Sequence, residues 1–343
     1  MKTNKLIFFT VLLFSTHFIF SQAQPPSNLS GSDLRTWLKS NWYDSYHNTL
    51  GYDNAREQMY GYIDKASDGQ VYCVYTGFHQ TGSYTTYLNP INCEHTIPQS
   101  WFGSSNPMVS DIFHLYPTHG DVNGARGSLD FAEITDSSAD KWYIVNGSNT
   151  GLTVLTSTPS SNIDNYSELN TNSNFEPRED HSGDVARAAF YFYTMYPTQA
   201  GSISGLASLQ TLYDWHLEDP VDAWEIQRND RIENSQGNRN PYIDYPEIAC
   251  RAWDLTCVGG IEKHNKKITI SPNPSSDYIQ VNSVESKIKA INIYNIIGKQ
   301  VLRTENLNTN KLTYDVSKLK NGIYFIEVID INNDKILKKL IKE

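Results

Sequence analysis

The chain has 343 residues, enough for two domains, and its 39% hydrophobic and 12% aromatic content excludes an intrinsically disordered protein. Residues 24–260 carry 12 Lys and Arg against 29 Asp and Glu, a net charge of −17, whereas residues 261–343 carry 14 against 9, a net charge of +5. This change of sign predicts a domain boundary near residue 260. The acidity of the first part counts against a protein that binds nucleic acid simply through a basic surface.

The N-terminus predicts a secretory signal peptide over residues 1–23. Lysines at positions 2 and 5 precede an almost wholly apolar run, residues 6–20, and small residues at positions 21 and 23 offer a cleavage point. The apolar run is short for a membrane span, which favours a cleaved signal over a retained anchor. No later apolar run is long enough to cross a bilayer, so we expect no stable membrane span. The signal predicts a secreted, extracellular or cell-surface protein, which we expect to be a monomer.

Export also bears on the four cysteines, because oxidising compartments favour disulfides. Four cysteines allow three pairings. We favour Cys73–Cys93 and Cys250–Cys257, since these pairs close the shortest loops.

Helical and strand patterns are mixed along residues 24–257, which predicts an α+β, helix-rich domain. The helical patterns cover residues 32–38, 53–63, 184–196, 203–216 and 221–235. Strand or hairpin patterns cover residues 70–90, 142–146 and 152–157, the last two around the turn at Asn146 and Gly147. Residues 91–131 are loop-rich and dense in His, Asn, Pro and Asp.

The last part of the chain has a different pattern. From residue 268 onwards, apolar residues alternate with polar ones, and Asn, Gly and Asp turns separate the runs. This pattern predicts a small antiparallel β-sandwich over residues 268–343. A short polar linker, residues 258–267, joins it to the first domain.

Residues 93–131 contain side chains suited to phosphodiester hydrolysis, which needs a base for water, a metal ion and cationic support for the phosphate. A neutral imidazole suits the base, and a hard Mg²⁺ prefers oxygen ligands. His95 fits the first role, and the Glu94 carboxylate and Asn123 amide fit the second. Neighbouring residues of a strand face opposite sides, so the strand must end or bend there for Glu94 and His95 to act together.

The motifs resemble the bacterial endonuclease I family of periplasmic and secreted nucleases. The resemblance covers roughly residues 33–255 and lies in E-H-T-I-P-Q-S-W-F (94–102), D-I-F-H-L-Y-P-T (111–118), V-N-G-A-R (122–126), G-D-V-A-R-A-A-F-Y (183–191) and the stretch from R-N-D-R (228–231) to P-Y-I-D-Y-P (241–246). It implies a ββα-metal core with one Mg²⁺, and Mn²⁺ and Ca²⁺ are the alternative ions. It also implies His95 as general base, Glu94 and Asn123 as metal ligands, and products with 5′-phosphate and 3′-hydroxyl ends.

The family also places an arginine on the scissile phosphate, from an insertion after the Glu-His motif. The corresponding loop here, residues 103–110, contains no Arg. Arg126 and Arg187 are therefore the candidates for that catalytic role.

The C-terminal part resembles a type IX secretion sorting domain. The resemblance lies in I-S-P-N-P-S-S-D-Y-I (270–279), N-I-I-G-K (295–299) and L-K-N-G-I-Y-F-I (319–326). It implies the type IX secretion machinery as a partner and assigns no chemistry to these residues.

Other polar residues of the motif regions have two interpretations each. We expect His114 to be buried and hydrogen-bonded, Asp111 and Asp121 to act as caps or loop anchors, and His119 to lie in a turn or contact substrate. Packing is favoured over nucleic-acid contact for Asn229, Arg231, Gln236, Asn238 and Arg239. Sheet or core positions are favoured over base stacking for Tyr72, Tyr75, Tyr84 and Tyr87.

Together the residues favour a secreted, Mg²⁺-dependent endonuclease with little sequence specificity, acting on DNA, RNA or both. Its main rival is a non-enzymatic surface protein that binds a polymer or glycan through its aromatic residues, but such a protein has no need of the Glu94, His95 and Asn123 set. A metalloprotease is less favoured because no H-E-x-x-H motif occurs.

Overall fold

The computed structural model describes residues 22–257, 268–283, 286–295, 299–331 and 335–342. The chain forms two compact units that divide between Leu255 and Thr256. The predicted linker, and all of the predicted signal peptide except its last two residues, lie outside the described residues. Among the described residues, no helix combines the length and apolar character that a bilayer span requires.

The N-terminal unit is α+β, as predicted. Its α-helices are α1 (Gly31–Trp42), α2 (Tyr52–Gln58), α3 (Gly120–Arg126), α4 (Glu179–Met195), α5 (Ile203–Leu206), α6 (Leu209–Glu218), α7 (Ala223–Gln236), α8 (Pro241–Asp244) and α9 (Ile248–Ala252). Helix α2 continues directly as a π-helical segment, Met59–Ile63. The central helix is α4, which packs against α1, α5, α6 and α8. Its buried residues occur on all sides, as expected for a helix enclosed by others.

The described part of the N-terminal unit also contains nine short strands. They are β1 (Gln70–Tyr72), β2 (His79–Thr81), β3 (Ile91–His95), β4 (Leu115–His119), β5 (Asp130–Phe131), β6 (Lys141–Val145), β7 (Leu152–Leu155), β8 (Ser167–Asn170) and β9 (Asn174–Glu176). Strands β1 and β2 form one antiparallel pair and β3 and β4 another, and the rest form a five-stranded sheet in the order β5-β9-β8-β6-β7. The predicted hairpin is confirmed as β6 and β7.

The C-terminal unit is built from antiparallel strands, which confirms the predicted sandwich. Its strands are β10 (Ile268–Ser271), β11 (Tyr278–Ser283), β12 (Ile288–Asn295), β13 (Gln300–Thr304), β14 (Lys311–Asp315), β15 (Gly322–Asp330) and β16 (Lys335–Lys342). They form two sheets, in the orders β10-β11-β14 and β13-β12-β15-β16. Alternate residues such as Ile279, Val281, Ile291 and Ile293 are fully buried in one core, which explains the alternating sequence pattern.

Of the two predicted disulfides, one is confirmed and one is wrong. Cys250 and Cys257 are bonded to each other. Cys73 and Cys93 are free thiols, and each has another partner. The thiol of Cys93 interacts with Tyr52, and that of Cys73 with Thr76. The short loop between them favoured their pairing, but Cys73 is buried in the core and the partly buried Cys93 packs against it.

Candidate active site

Three consecutive elements position the predicted site residues. Strands β3 and β4 pair antiparallel, with Glu94 opposite Tyr116 and His95 opposite Leu115. Helix α3 follows β4 without a loop, because the His119 imidazole accepts the N–H of Asp121 and so caps the helix. This strand–strand–helix order is the predicted ββα core. Strand β3 includes both Glu94 and His95 and ends at His95.

Asn123 lies on the side of α3 that faces β3. Its Nδ2 donates to Asn92 Oδ1, at 2.8 Å, and to the carbonyl oxygen of Cys93, at 3.1 Å. Both contacts use the amide nitrogen, so the Oδ1 atom is left for another ligand. These bonds fix the amide beside the residue that precedes Glu94.

Glu94 is buried, with 1% of its surface exposed. Its Oε1 accepts hydrogen bonds from Tyr75 Oη, at 2.9 Å, and from Arg126 Nη1, at 3.0 Å. Burial raises the pKa of Glu94, and the charge of Arg126 acts in the opposite direction. A cation beside this carboxylate would favour its ionised form, and a carboxylate with an amide oxygen is an oxygen donor set that fits a hard divalent ion.

His95 is 5% exposed, and its Nε2 lies 3.2 Å from the carbonyl oxygen of Val109. A carbonyl only accepts, so Nε2 carries the hydrogen, and in the neutral ring Nδ1 is the acceptor. Among the described residues, Nδ1 has no hydrogen-bond partner. It is also not among the polar atoms that the surrounding protein encloses completely. Burial, and then the neighbouring His114, lower the pKa of His95 to about 3, so the ring is neutral at physiological pH.

Arg126 is 1% exposed and supports the end of β3. Besides its bond to Glu94, its Nη1 donates to the carbonyl oxygen of His95, at 2.9 Å, and its Nη2 to that of Thr96, at 2.8 Å. The guanidinium also stacks over the ring of Phe131. In this arrangement Arg126 holds Glu94 and the strand end, and its donors point into the protein.

The structure does not bring Arg187 to this group. It is 1% exposed on α4, where its Nε donates to Glu225, at 2.6 Å, and its Nη1 to the carbonyl oxygen of Asp219, at 2.8 Å. Among the described residues, no hydrogen bond or ion pair joins Arg187 to Glu94, His95 or Asn123.

Tyr75, Tyr52 and Arg56 belong to the site, although the sequence analysis did not assign them to it. The ring of Tyr52 lies 5.4 Å from that of His95, and the Arg56 guanidinium stacks over Tyr52. Arg56 also acts electrostatically on His95, and its side chain is 17% exposed. The sequence signal was weak, because these residues lie some 20 to 40 positions before the Glu-His pair, in segments predicted only as helix and strand.

Most of the other polar residues of the motif regions have structural roles, as expected. His114 is fully buried and its Nε2 lies 2.7 Å from the carbonyl oxygen of Met108, as predicted. Asp111 caps the turn that follows it, and its carboxylate also accepts from Tyr191 and Tyr196. His119 takes the turn role, as the cap of α3.

Residues 228–246 pack within the final helices of the N-terminal unit, which is the interpretation favoured over nucleic-acid contact. Asn229, Gln236 and Asn238 are fully buried and hydrogen-bonded within the protein, and Arg231 and Arg239 bond to carbonyl oxygens and carboxylates. The four tyrosines that were weighed between core packing and base stacking differ in exposure. Tyr75 is buried in the core, whereas Tyr72, Tyr84 and Tyr87 are 41%, 64% and 74% exposed.

Two protein families match successive parts of the chain. Residues 30–247 match the family described as Endonuclease I, and residues 269–343 match the secretion system C-terminal sorting domain. The second match supports export of the chain, in line with the extracellular names of its relatives.

Three relatives show the range of the first match. An extracellular ribonuclease of Bacillus subtilis (strain 168) is 34% identical over 178 residues, which cover 47% of this chain and 54% of the relative. An extracellular deoxyribonuclease of Aeromonas hydrophila is 28% identical over 48% of this chain and 69% of the relative. Endonuclease-1 of Buchnera aphidicola is 26% identical over 40% of this chain and 45% of the relative. The chain thus spans about half the length of the Bacillus and Buchnera relatives. Because the family match covers well over half of its residues, this chain belongs to the endonuclease I family.

Proposed function

We propose that residues 24–257 form a divalent-metal-dependent endonuclease that hydrolyses phosphodiester bonds of DNA, RNA or both with little sequence specificity. The observation that supports this most directly is that Glu94, His95 and Asn123 lie on adjacent elements of the ββα core. Glu94 and His95 close β3, and the Asn123 amide is hydrogen-bonded to the same strand at Cys93. A binding protein has no need of a buried carboxylate, an imidazole and an amide in this arrangement.

Glu94 and Asn123 are the residues that would hold the cation, with Mg²⁺ first and Mn²⁺ and Ca²⁺ as alternatives. When bound, such an ion neutralises charge that develops on the phosphate and the leaving oxygen. Arg126 is a positioning residue in this account. It fixes the Glu94 carboxylate by direct contact and binds the two carbonyl oxygens that follow.

His95 is the general base. Its Nδ1 takes a proton from a water molecule, while the Val109 carbonyl oxygen retains the Nε2 hydrogen and so fixes the tautomer. The water oxygen bonds to phosphorus as the bond from phosphorus to the 3′ oxygen breaks. That oxygen gains a proton from solvent, and the products carry 5′-phosphate and 3′-hydroxyl ends.

Arg56 is our candidate for the contact with the scissile phosphate, in place of Arg126 and Arg187. Those two guanidiniums are buried and bonded within the protein. Arg56 combines partial exposure with proximity to His95, through Tyr52. Its Asp53 partner is exposed, so an approaching phosphate can compete for the guanidinium.

The substrate class follows from the site and is supported by the relatives, of which one is named a ribonuclease and another a deoxyribonuclease. The acidic N-terminal unit affects how the substrate binds. Three of its arginines, Arg126, Arg187 and Arg228, are buried with carboxylates and cannot neutralise phosphates. We therefore expect few phosphate contacts, weak affinity and a shallow salt dependence, with a log–log slope smaller in magnitude than about 3 on duplex DNA. We further propose that residues 268–343 address the protein to the type IX secretion machinery.

The test compares His95→Ala with His79→Ala, a histidine substitution on β2, in Mg²⁺ and in EDTA. The substrates are plasmid DNA, single-stranded DNA and RNA. We expect His95→Ala to cut each cleavable substrate about 10²- to 10⁴-fold more slowly, because a general base contributes that much. His79→Ala should cut at the wild-type rate, and EDTA should abolish cleavage by both proteins. A folded His95→Ala protein within threefold of wild type would remove His95 as the base.

A further inference from the structure

Asn92, on β3, is in direct contact with the amide that the proposed metal site uses as a ligand. Its Oδ1 atom accepts the hydrogen bond that Asn123 Nδ2 donates from α3, with 2.8 Å between the two atoms. The carbonyl oxygen of Cys93 accepts a second bond from the same nitrogen, at 3.1 Å. An amide nitrogen carries two hydrogens, and these two acceptors use both of them. The nitrogen end of the Asn123 amide is therefore fully bonded to β3.

The two acceptors determine which end of the Asn123 amide faces away from β3. A backbone carbonyl can only accept a hydrogen bond, so the end of the amide that faces Cys93 must be the nitrogen. If the amide were reversed end for end, its Oδ1 atom would lie against the Cys93 carbonyl oxygen, and the bond to Asn92 would be lost as well. The bonded orientation therefore directs the amide oxygen away from both acceptors.

An amide ligand depends on its orientation more than a carboxylate ligand does. A hard divalent cation binds an asparagine through the amide oxygen, whereas the nitrogen end offers only hydrogen-bond donors. A carboxylate presents an oxygen to the cation at either end, but a reversed amide would present N–H groups. A residue that fixes the amide can therefore determine how tightly the cation binds without contacting the ion itself.

Helix α3 has other contacts that hold it against β3 and the residue that precedes that strand. At the start of the helix, the backbone N–H of Gly120 donates to the carbonyl oxygen of Pro90, at 2.8 Å. At its end, Arg126 donates to the carboxylate of Glu94, at 3.0 Å. Neither contact involves the side chain of Asn92. We therefore expect a substitution of Asn92 to release the Asn123 amide and to leave the helix in place.

We propose that Asn92 is a positioning residue that sets the affinity for the catalytic cation, because it holds the Asn123 amide with its oxygen towards the ion. This inference rests on the proposed function, since it takes Asn123 as a metal ligand. Replacement of a residue that orients a metal ligand lowers metal affinity by about 10- to 100-fold. We expect a loss of about tenfold, at the lower end of this range, because the Cys93 carbonyl oxygen still accepts one of the two hydrogen bonds.

The test measures Mn²⁺ binding to the whole chain without substrate, through the loss of the EPR signal of the free ion. Asn123→Ala identifies the ion bound at this site, because that variant should bind it much more weakly. Asn92→Leu removes the acceptor at a similar side-chain volume and should weaken the binding of the same ion by about tenfold. Asn92→Asp retains an acceptor oxygen and should bind Mn²⁺ at least as tightly as the wild type. Asn54→Leu, at an exposed asparagine on α2, is the matched control and should bind like the wild type.

A double substitution distinguishes orientation of the ligand from general damage to the strand. Asn123→Asp places an oxygen at both ends of the ligand, so its orientation no longer decides whether it can bind the cation. In this background we expect Asn92→Leu to change the Mn²⁺ dissociation constant by less than about threefold, which is the non-additivity expected of a residue that acts through its neighbour. A full tenfold loss in this background as well would show that Asn92 does not act through the amide, and would overturn the proposal.

The single substitutions separate failure of this inference from failure of the proposed function. If Asn123→Ala weakens Mn²⁺ binding but Asn92→Leu binds like the wild type, Asn123 is a ligand that Asn92 does not orient, and only this proposal is overturned. If Asn123→Ala also binds like the wild type, the ligand assignment is wrong and both proposals fail together. Asn92→Ala, which removes the same acceptor by truncation, provides the comparison if Asn92→Leu does not fold.

Discussion

Replacement of Arg126 by methionine tests the arrangement that holds Glu94. Methionine keeps apolar contact with Phe131 but removes the ion pair to Glu94 and the bonds to two carbonyl oxygens. Both members of the pair are 1–2% exposed at the side chain. Loss of one partner of a buried pair costs about 3–5 kcal/mol, because the other charge remains buried, whereas an exposed pair contributes at most about 1 kcal/mol.

The free energy of unfolding can be measured for the N-terminal unit within the whole chain. All seven tryptophans lie between residues 37 and 253, so tryptophan fluorescence in a denaturant titration reports this unit. We expect Arg126→Met to lose about 3–5 kcal/mol in EDTA, and to regain part of the loss in Mg²⁺, because a cation at Glu94 pairs its charge again. Arg187→Met, which breaks the buried pair with Glu225, is the matched control. It should lose a similar amount, without recovery in Mg²⁺.

Steady-state kinetics of Arg126→Met distinguish a role in positioning Glu94 from a direct contact with the phosphate. For folded Arg126→Met we expect kcat to fall with little change in KM or in the salt dependence of cleavage. A loss of stability below about 1 kcal/mol would show that Arg126 does not hold Glu94. A large rise in KM with a shallower salt slope would instead place Arg126 on the phosphate.

Three further predictions follow from other parts of the N-terminal unit. Arg56→Gln should raise KM for duplex DNA by about 5- to 150-fold, the range for a lost charge-assisted contact of about 1–3 kcal/mol, and leave Tm within about 2 °C. An unchanged KM would exclude a phosphate contact. Burial, and then the charge of Arg187, lower the pKa of His216 from 6.5 to about 4. The unfolded chain therefore binds a proton at this histidine more readily than the folded protein does. The free energy of unfolding must then fall as the pH drops from about 6.5 to 4. The loss is about 3 kcal/mol, and His216→Gln should remove it from the pH profile; identical profiles would refute this. Thiol titration of the denatured, unreduced protein should give two thiols per chain, from Cys73 and Cys93; a value near zero would restore the second disulfide.

Much of the site could be predicted from the sequence, because its residues are close to one another along the chain. Glu94 and His95 are adjacent, and Asn123 follows on the helix that directly succeeds the partner strand. The C-terminal sandwich was also predictable, since residues such as Ile291 and Ile293 alternate with polar ones along strands such as β12, which has eight residues.

The parts that were missed depend on long-range contacts or on short elements. Strands β8 and β9 have four and three residues of mixed polarity, too few for alternation to appear. Helix α4 begins five residues before the predicted start at Asp184, because its first turn is polar and carries Glu179 and Asp180. The predicted helix over 203–216 is two helices, interrupted at Ala207, whose backbone is extended.

The wrong Cys73–Cys93 pairing and the revised choice of arginine have a common physical reason. The short loop between Cys73 and Cys93 permits a disulfide, but only the packing shows that each thiol interacts with another residue. Charge likewise marks Arg126 and Arg187 as phosphate contacts, but only the three-dimensional structure shows that internal carboxylates occupy both. Arg56 was overlooked because its link to His95 passes through Tyr52, about forty residues before it in the chain.

The most direct test of the central claim is chemical rescue of His95→Ala under single-turnover conditions in Mg²⁺. Imidazole fits the space that the substitution opens and can take the proton that Nδ1 takes in the wild type. We predict that imidazole, added at constant pH and ionic strength, increases the cleavage rate of His95→Ala in proportion to its concentration and has no effect on wild type or on His79→Ala. A His95→Ala rate that is already close to wild type would contradict the account. A rate that is deeply reduced in a folded protein but indifferent to imidazole would contradict the assignment of His95 as the base.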